Sequence, residues 1–132
     1  MHGDIGVIAT VLVVDDDQMV RRLAARMLTL KGYYALEAAN GEVALQTLQR
    51  LAIRIHLVLT DLAMPGIDGR NLGAVIRRCW PQIRVLYMSG YPAARMIGAG
   101  ALEADWPFIQ KPFTADQLGR RVHELIAEPT EQ

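Results

Sequence analysis

Four of five short apolar runs in this chain stop abruptly at a charged or hydroxyl side chain, and that punctuation constrains the fold most. Val11–Val14 stops at Asp15, Asp16 and Asp17; His56–Thr60 at Asp61; Ile83–Met88 at Ser89; Phe108–Gln110 at Lys111. Tyr34–Ala38 is the fifth run. Runs of this length read as strands, and the stretches between them carry a helical period. From Gln18 to Lys31 the apolar positions are Met19, Val20, Leu23, Met27, Leu28 and Leu30, and Gly32 ends the helix. Asn40 can cap a helix with Val43, Ala44, Leu45 and Leu48 on its apolar face. The turn-rich stretch Met64–Gly69 precedes a helix over Asn71–Cys79, which Pro81 breaks. Pro92–Leu102 reads as a weaker helix, because Gly98 and Gly100 lower its propensity. Thr114 can cap a last helix reaching about Ala127, with Leu118, Val122, Leu125 and Ile126 on one face. The apolar stripes, Met19 and Met27 included, are expected to pack the core.

Strands alternating with helices five times over give an α/β fold, a parallel sheet covered on both faces. The chain has 132 residues, enough for one domain with a real core, and no repeat or linker divides it. The expected boundaries are a tail over 1–9, the domain over 10–128 and a tail over 129–132. Fourteen basic side chains offset fourteen acidic ones. That balance lacks the basic excess of a nucleic-acid binder, so no direct nucleic-acid contact is expected. Arg21, Arg22 and Arg26, like Arg77 and Arg78, fall at helical spacing and read as solvated helix faces. The lone Cys79 excludes an internal disulfide and a cysteine-based zinc site; it reads as an inert thiol at a helix end packed on the core. No apolar run is long enough to span a bilayer, and Met1–Ala9 does not read as a signal peptide. A cytoplasmic domain without membrane contact is the expectation.

In a parallel sheet the carboxyl ends of the strands share one edge, where ligands bind near the reversal of strand order. Carboxylates, a hydroxyl and an ammonium therefore converge there. Crowded carboxylates repel unless protons or a cation intervene. A hard divalent ion such as Mg²⁺ suits an oxygen-only ligand set. Lys111 beside such a site is useful if a further anion must be neutralised, and a phosphoryl group supplies one, with Ser89 placed to hydrogen-bond it.

Four segments carry a resemblance: Val13-Val14-Asp15-Asp16-Asp17; Thr60-Asp61 through Met64-Pro65-Gly66-Ile67-Asp68-Gly69; Tyr87-Met88-Ser89-Gly90; and Gln110-Lys111-Pro112-Phe113. In order and spacing they resemble the response-regulator receiver family, over about residues 10 to 127. The resemblance implies a doubly wound, flavodoxin-like sheet of five parallel strands in the order 2-1-3-4-5. It implies that Asp61 accepts a phosphoryl group from a phosphohistidine, with Mg²⁺ held by Asp16, by Asp15 through water, by Asp61 and by the backbone carbonyl of Ala63. It further implies that Ser89 and Lys111 bind the phosphoryl oxygens, that Ser89 and Phe108 form the switch, and that a cis bond precedes Pro112. Asp17 reads instead as a helix N-cap. The implied partner is a histidine kinase or a histidine phosphotransfer domain, with a homodimer also open to the family. Phe108 departs from the tyrosine of many members. With Ala63 opposite Tyr91, no group is placed to orient an attacking water, so dephosphorylation is expected to be slow.

Two rival readings use the same residues. A haloacid-dehalogenase-like phosphatase would need a second aspartate where Ala63 stands. A pseudo-receiver would never take phosphate, which the full acidic, hydroxyl and lysine set argues against. The last two runs look most like C-terminal receivers of hybrid sensor histidine kinases; a stand-alone regulator is the alternative. Only about twenty residues follow Lys111, too few for a DNA-binding output domain.

Overall fold

The computed structural model describes residues 9–128. Five strands, β1 (Thr10–Val14), β2 (Tyr34–Ala38), β3 (Leu57–Asp61), β4 (Arg84–Ser89) and β5 (Phe108–Gln110), alternate with α1 (Gln18–Leu30), α2 (Gly41–Leu51), α3 (Gly69–Cys79), α4 (Ala93–Gly98) and α5 (Ala115–Ala127). A single 3-10 turn, Ala52–Arg54, follows α2. The strands are all parallel and lie in the order β2-β1-β3-β4-β5, as the resemblance implies. The order reverses between β1 and β3, so the crevice at their carboxyl ends is where this topology binds ligands.

Alternation along the strands divides the core in two. Val11, Val13, Leu57, Leu59, Leu86 and Met88 meet α1 and α5 on one face, through Ala24, Leu28, Leu118 and Val122. Leu12, Val14, Val58, Val85 and Tyr87 meet α2 and α3 on the other, through Ala44, Leu48, Leu72 and Ile76. Capping side chains begin the helices as the sequence predicts: Asn40 accepts from the Val43 N–H at 2.8 Å. Thr114 and Gln117 form a reciprocal capping box at α5. Among the described residues, no helix is long and apolar enough to cross a membrane.

Several expectations need correction. Met19, 83% exposed, lies in solvent, as do Leu23 and Leu30; Met27 is half-buried against the core. A helix lying on a sheet buries one stripe; in α1 the small Ala24 and Ala25 with Leu28 form its centre, and Met19, Leu23 and Leu30 fall outside it. Val43 likewise stays largely outside the core that Ala44 and Leu48 enter. Helix α4 is six residues long, shorter than Pro92–Leu102; Gly100 turns the chain at φ +79°, a conformation no helix continues through. Cys79 is exposed, while Trp80 beside it packs against the core.

Arg77 is also more than a solvated cation. Its Nη1 donates to the Tyr87 hydroxyl at 2.8 Å, and its guanidinium lies 4.4 Å from the centroid of the Trp106 ring. Trp106 in turn stacks on Tyr87, centroids 5.0 Å apart. The fully buried Tyr87 reaches α3 only because residue 73 is glycine: a Cβ there would sit 1.8 Å from the Tyr87 hydroxyl and 2.8 Å from its Cζ. The stacked ring cannot swing aside cheaply. Gly73→Ala is therefore expected to cost about 1–3 kcal/mol in urea unfolding. Tyr87→Phe should cost less in that background than in the wild type, because it removes the clashing oxygen. Equal costs in both backgrounds would show that the hydroxyl is not what the added methyl meets.

Candidate functional site

The carboxyl edge of the sheet brings together what the strand ends carry. Asp15, in the loop after β1, is buried to 1% exposure; Asp61, the last residue of β3, to 7%. Asp16 is exposed beside them. Carboxylate oxygens of Asp15, Asp16 and Asp61 all lie within 4.8 Å of one another. Lys111, following β5, places its Nζ 3.1 Å from Asp61 Oδ1 and 3.4 Å from Asp15 Oδ2. The peptide bond between Lys111 and Pro112 is cis, as the resemblance implies.

Ser89 ends β4 and is buried; its Oγ accepts from the Tyr91 N–H at 3.0 Å. The Lys111 N–H donates to the Ser89 carbonyl at 2.8 Å, so β5 holds the lysine and the serine in one frame. Asp17 points away from the cluster: its Oδ1 accepts from the N–H groups of Met19 and Val20 at 3.0 and 3.3 Å, the N-cap role predicted for it. Ala63 is solvent-facing in the β3–α3 loop. That loop is drawn tight by Gly69, where a Cβ would lie 2.3 Å from the Asp61 carbonyl oxygen. Phe108 is half-buried at the start of β5, against the core on the α3 side.

Burial is the largest influence on the Asp61 carboxyl and pushes it up from 3.8 to about 6. Lys111 opposes this by attraction and hydrogen bonding, while Asp15 and then Asp16 add repulsion. Burial alone would lower the Lys111 ammonium, but the attraction of Asp61 and Asp15 outweighs it, and the net shift is upward. The edge thus holds three carboxylates and one ammonium in a half-enclosed space. The excess of negative charge and the all-oxygen donors fit a hard divalent cation.

Sequence reasoning placed all these residues and missed one pair. Arg21, read as part of a solvated face, has a side chain only 13% exposed. Its Nε meets Glu37 Oε1 of β2 at 2.9 Å, and its Nη1 donates to the Asp15 carbonyl at 3.0 Å. The signal available was a lone acidic residue, Glu37, in an otherwise apolar strand; Arg22 and Arg26 are exposed as expected.

The raised Asp61 value has a consequence for stability. The folded protein binds this proton more tightly than the unfolded chain does. Its contribution is therefore full below pH 3.8 and is lost as pH rises through about 6. Asp61→Asn removes the buried anion. Without divalent cations, the variant should be the more stable protein at pH 7.5, by on the order of 2 kcal/mol. The advantage should vanish below about pH 4, where the wild-type carboxyl is protonated in both states. Paired thermal melts across that range check it, and a gap independent of pH would refute it.

Comparison with known proteins gives the family of the chain. The family model described as the response regulator receiver domain matches residues 11–123. The sensor kinase CckA of Brucella abortus (strain 2308) is 35% identical over 118 residues, which cover 89% of this chain and 12% of CckA. Sporulation initiation phosphotransferase F of Bacillus subtilis (strain 168) is 32% identical over 116 residues, covering 88% of this chain and 92% of that protein. The crystal structure of the receiver domain from the hybrid histidine kinase CckA superposes with a TM-score of 0.75 at 36% identity, covering 89% of this chain and 99% of that one. Apart from short proteins such as the phosphotransferase, the curated relatives are long. The chain spans 12% of CckA and 23–27% of several regulatory proteins. With the strand order, the acidic edge and a match along most of its length, this chain belongs to the response regulator receiver domain family of two-component systems.

Proposed function

We propose that Asp61 accepts a phosphoryl group from a phosphohistidine, on a histidine kinase or a histidine phosphotransfer domain, and that the domain changes conformation in response. The observation that carries this reading is Lys111 Nζ, 3.1 Å from Asp61 Oδ1, beside three carboxylates that share 4.8 Å of space. A cation and a lysine around one carboxylate form a receptacle for a phosphoryl group, whose oxygens need positive charge on every side.

An Asp61 carboxylate oxygen attacks phosphorus in line with the phosphorus–nitrogen bond. That bond breaks, its electron pair returns to the imidazole, and an acyl phosphate remains on Asp61. Asp16, Asp15 and Asp61, with the backbone carbonyl of Ala63, are the residues that would hold Mg²⁺. Held there, Mg²⁺ would supply positive charge beside the phosphoryl group and favour the ionised form of Asp61 among its neighbours. Lys111 then turns from its carboxylate partners toward the phosphoryl group. The Ser89 hydroxyl can donate to a phosphoryl oxygen while still accepting from Tyr91, and a shift at Ser89 passes to β5 through the Lys111 N–H. Phe108, half-buried on that strand, is the side chain we assign to the readout. In this reading the domain works in the cytoplasm. The CckA resemblance favours a hybrid kinase receiver, which passes or drains phosphoryl groups, over a regulator that docks a target.

Incubation with a small phosphodonor and Mg²⁺, followed by intact mass, is the direct test. The wild type should gain one phosphoryl adduct, Asp61→Asn none, and chelation of Mg²⁺ should abolish the gain. An adduct that persists in Asp61→Asn, or none in the wild type, overturns the assignment.

Dephosphorylation provides a second test. Ala63 offers no group to orient an attacking water, so the acyl phosphate should outlast a minute, and Ala63→Asn should shorten its half-life several-fold. A wild-type lifetime of seconds, unmoved by the substitution, contradicts this and reopens the phosphatase reading.

A further inference from the structure

Four polar groups of Asp15 are each engaged. Its N–H donates to the Ala38 carbonyl at 3.2 Å, and its Oδ1 accepts from the Asp17 N–H at 3.0 Å. Its Oδ2 faces Lys111 at 3.4 Å, and its carbonyl accepts from Arg21 Nη1 at 3.0 Å. Asp16 differs. It is exposed, and among the described residues its carboxylate has no hydrogen bond or ion pair. What aims Asp16 at the cluster is therefore its backbone, and the peptide plane entering it carries the Asp15 carbonyl that Arg21 holds. Arg21 is in turn anchored by Glu37, which pairs in register with Val13 of β1. One guanidinium thus ties β2, α1 and the β1–α1 peptide together.

We propose that Arg21, oriented by Glu37, is a positioning residue for divalent-cation binding, fixing the peptide that points Asp16 at the metal site. The inference rests on the Asp15–Asp16–Asp61 cluster being that site. A guanidinium is suited to the task because Nε and Nη1 donate in two fixed directions, to Glu37 and to the Asp15 carbonyl. A lysine ammonium in its place could satisfy one partner well but not both. The role is distinct from clamping α1 to the sheet, which would affect unfolding without changing how the folded protein binds an ion.

The test is a Mg²⁺ titration of the full chain, followed through backbone amide shifts in the β1–α1 and β3–α3 loops, for wild type, Arg21→Ala, Arg21→Lys and Glu37→Gln. Supporting outcomes are a Mg²⁺ Kd raised roughly tenfold in Arg21→Ala, a scale usual for groups that orient metal ligands, and smaller increases in Arg21→Lys and Glu37→Gln. With a small phosphodonor, the Mg²⁺ concentration for half-maximal phosphorylation should rise while the plateau rate holds. Should Arg21→Ala fail to fold, the other two variants carry the same test. Wild-type Mg²⁺ affinity in the folded variants would overturn the inference and leave the metal site standing. A wild-type protein that binds no Mg²⁺ would defeat the site, and this inference with it.

Discussion

Like-charge crowding at the carboxyl edge of the sheet is the constraint around which the rest is arranged. Asp15 and Asp61 are almost fully buried, Asp16 adjoins them, and one ammonium, Lys111, faces two of the three. Left alone, such a cluster works against folding, because desolvated carboxylates cost free energy that a single partner does not return. The raised Asp61 value is the direct expression of that cost. On the proposed function, a site so underneutralised takes up positive charge and a phosphoryl group together. In the proposed reading, that is how an unfavourable local arrangement becomes a receptor for a phosphoryl group.

The remainder of the fold holds those charges still. Parallel strands bring four separated segments to one edge, and the two apolar layers, one under α1 and α5 and one under α2 and α3, lock the strands in register. Close backbone approach finishes the work. Gly69 lets α3 start against the Asp61 carbonyl, and Gly73 admits Tyr87 from β4. Tyr87 lies two residues before Ser89, and its hydroxyl and ring are gripped by Arg77 and Trp106. The strand bearing the serine is therefore held firmly along its length, while α4 beyond it is short, with no side chain capping its start.

Much of the fold and of the candidate site was legible because both depend on short-range chemistry. Abrupt ends of apolar runs marked Asp15, Asp16, Asp61, Ser89 and Lys111, since the apolar pattern that packs a strand between two helical layers gives out where the strand reaches the edge of the sheet. Caps at Asp17, Asn40 and Thr114 were readable for the same reason: the side chain serves backbone groups two or three residues away. Met19 and Leu23 misled, because helical period reports which residues share a face and says nothing about how wide a stripe the neighbouring sheet will cover. Arg21 and Arg77 misled in the opposite direction. Their partners, Glu37, Asp15, Tyr87 and Trp106, come from other elements, so a spacing rule saw only exposed cations.

By itself, then, the sequence determined the alternation of strands and helices, the family, and which residues stand at the strand ends. Those follow from local pattern, where each residue answers to its near neighbours. Only the tertiary structure decided the distances between Lys111 and the carboxylates, the rise of the Asp61 carboxyl toward neutral pH, and the anchoring of Asp15 by an arginine that Glu37 orients. The physical reason is that electrostatics and side-chain hydrogen bonds depend on separation in space and on depth beneath the surface. Neither quantity exists until five strands are laid side by side.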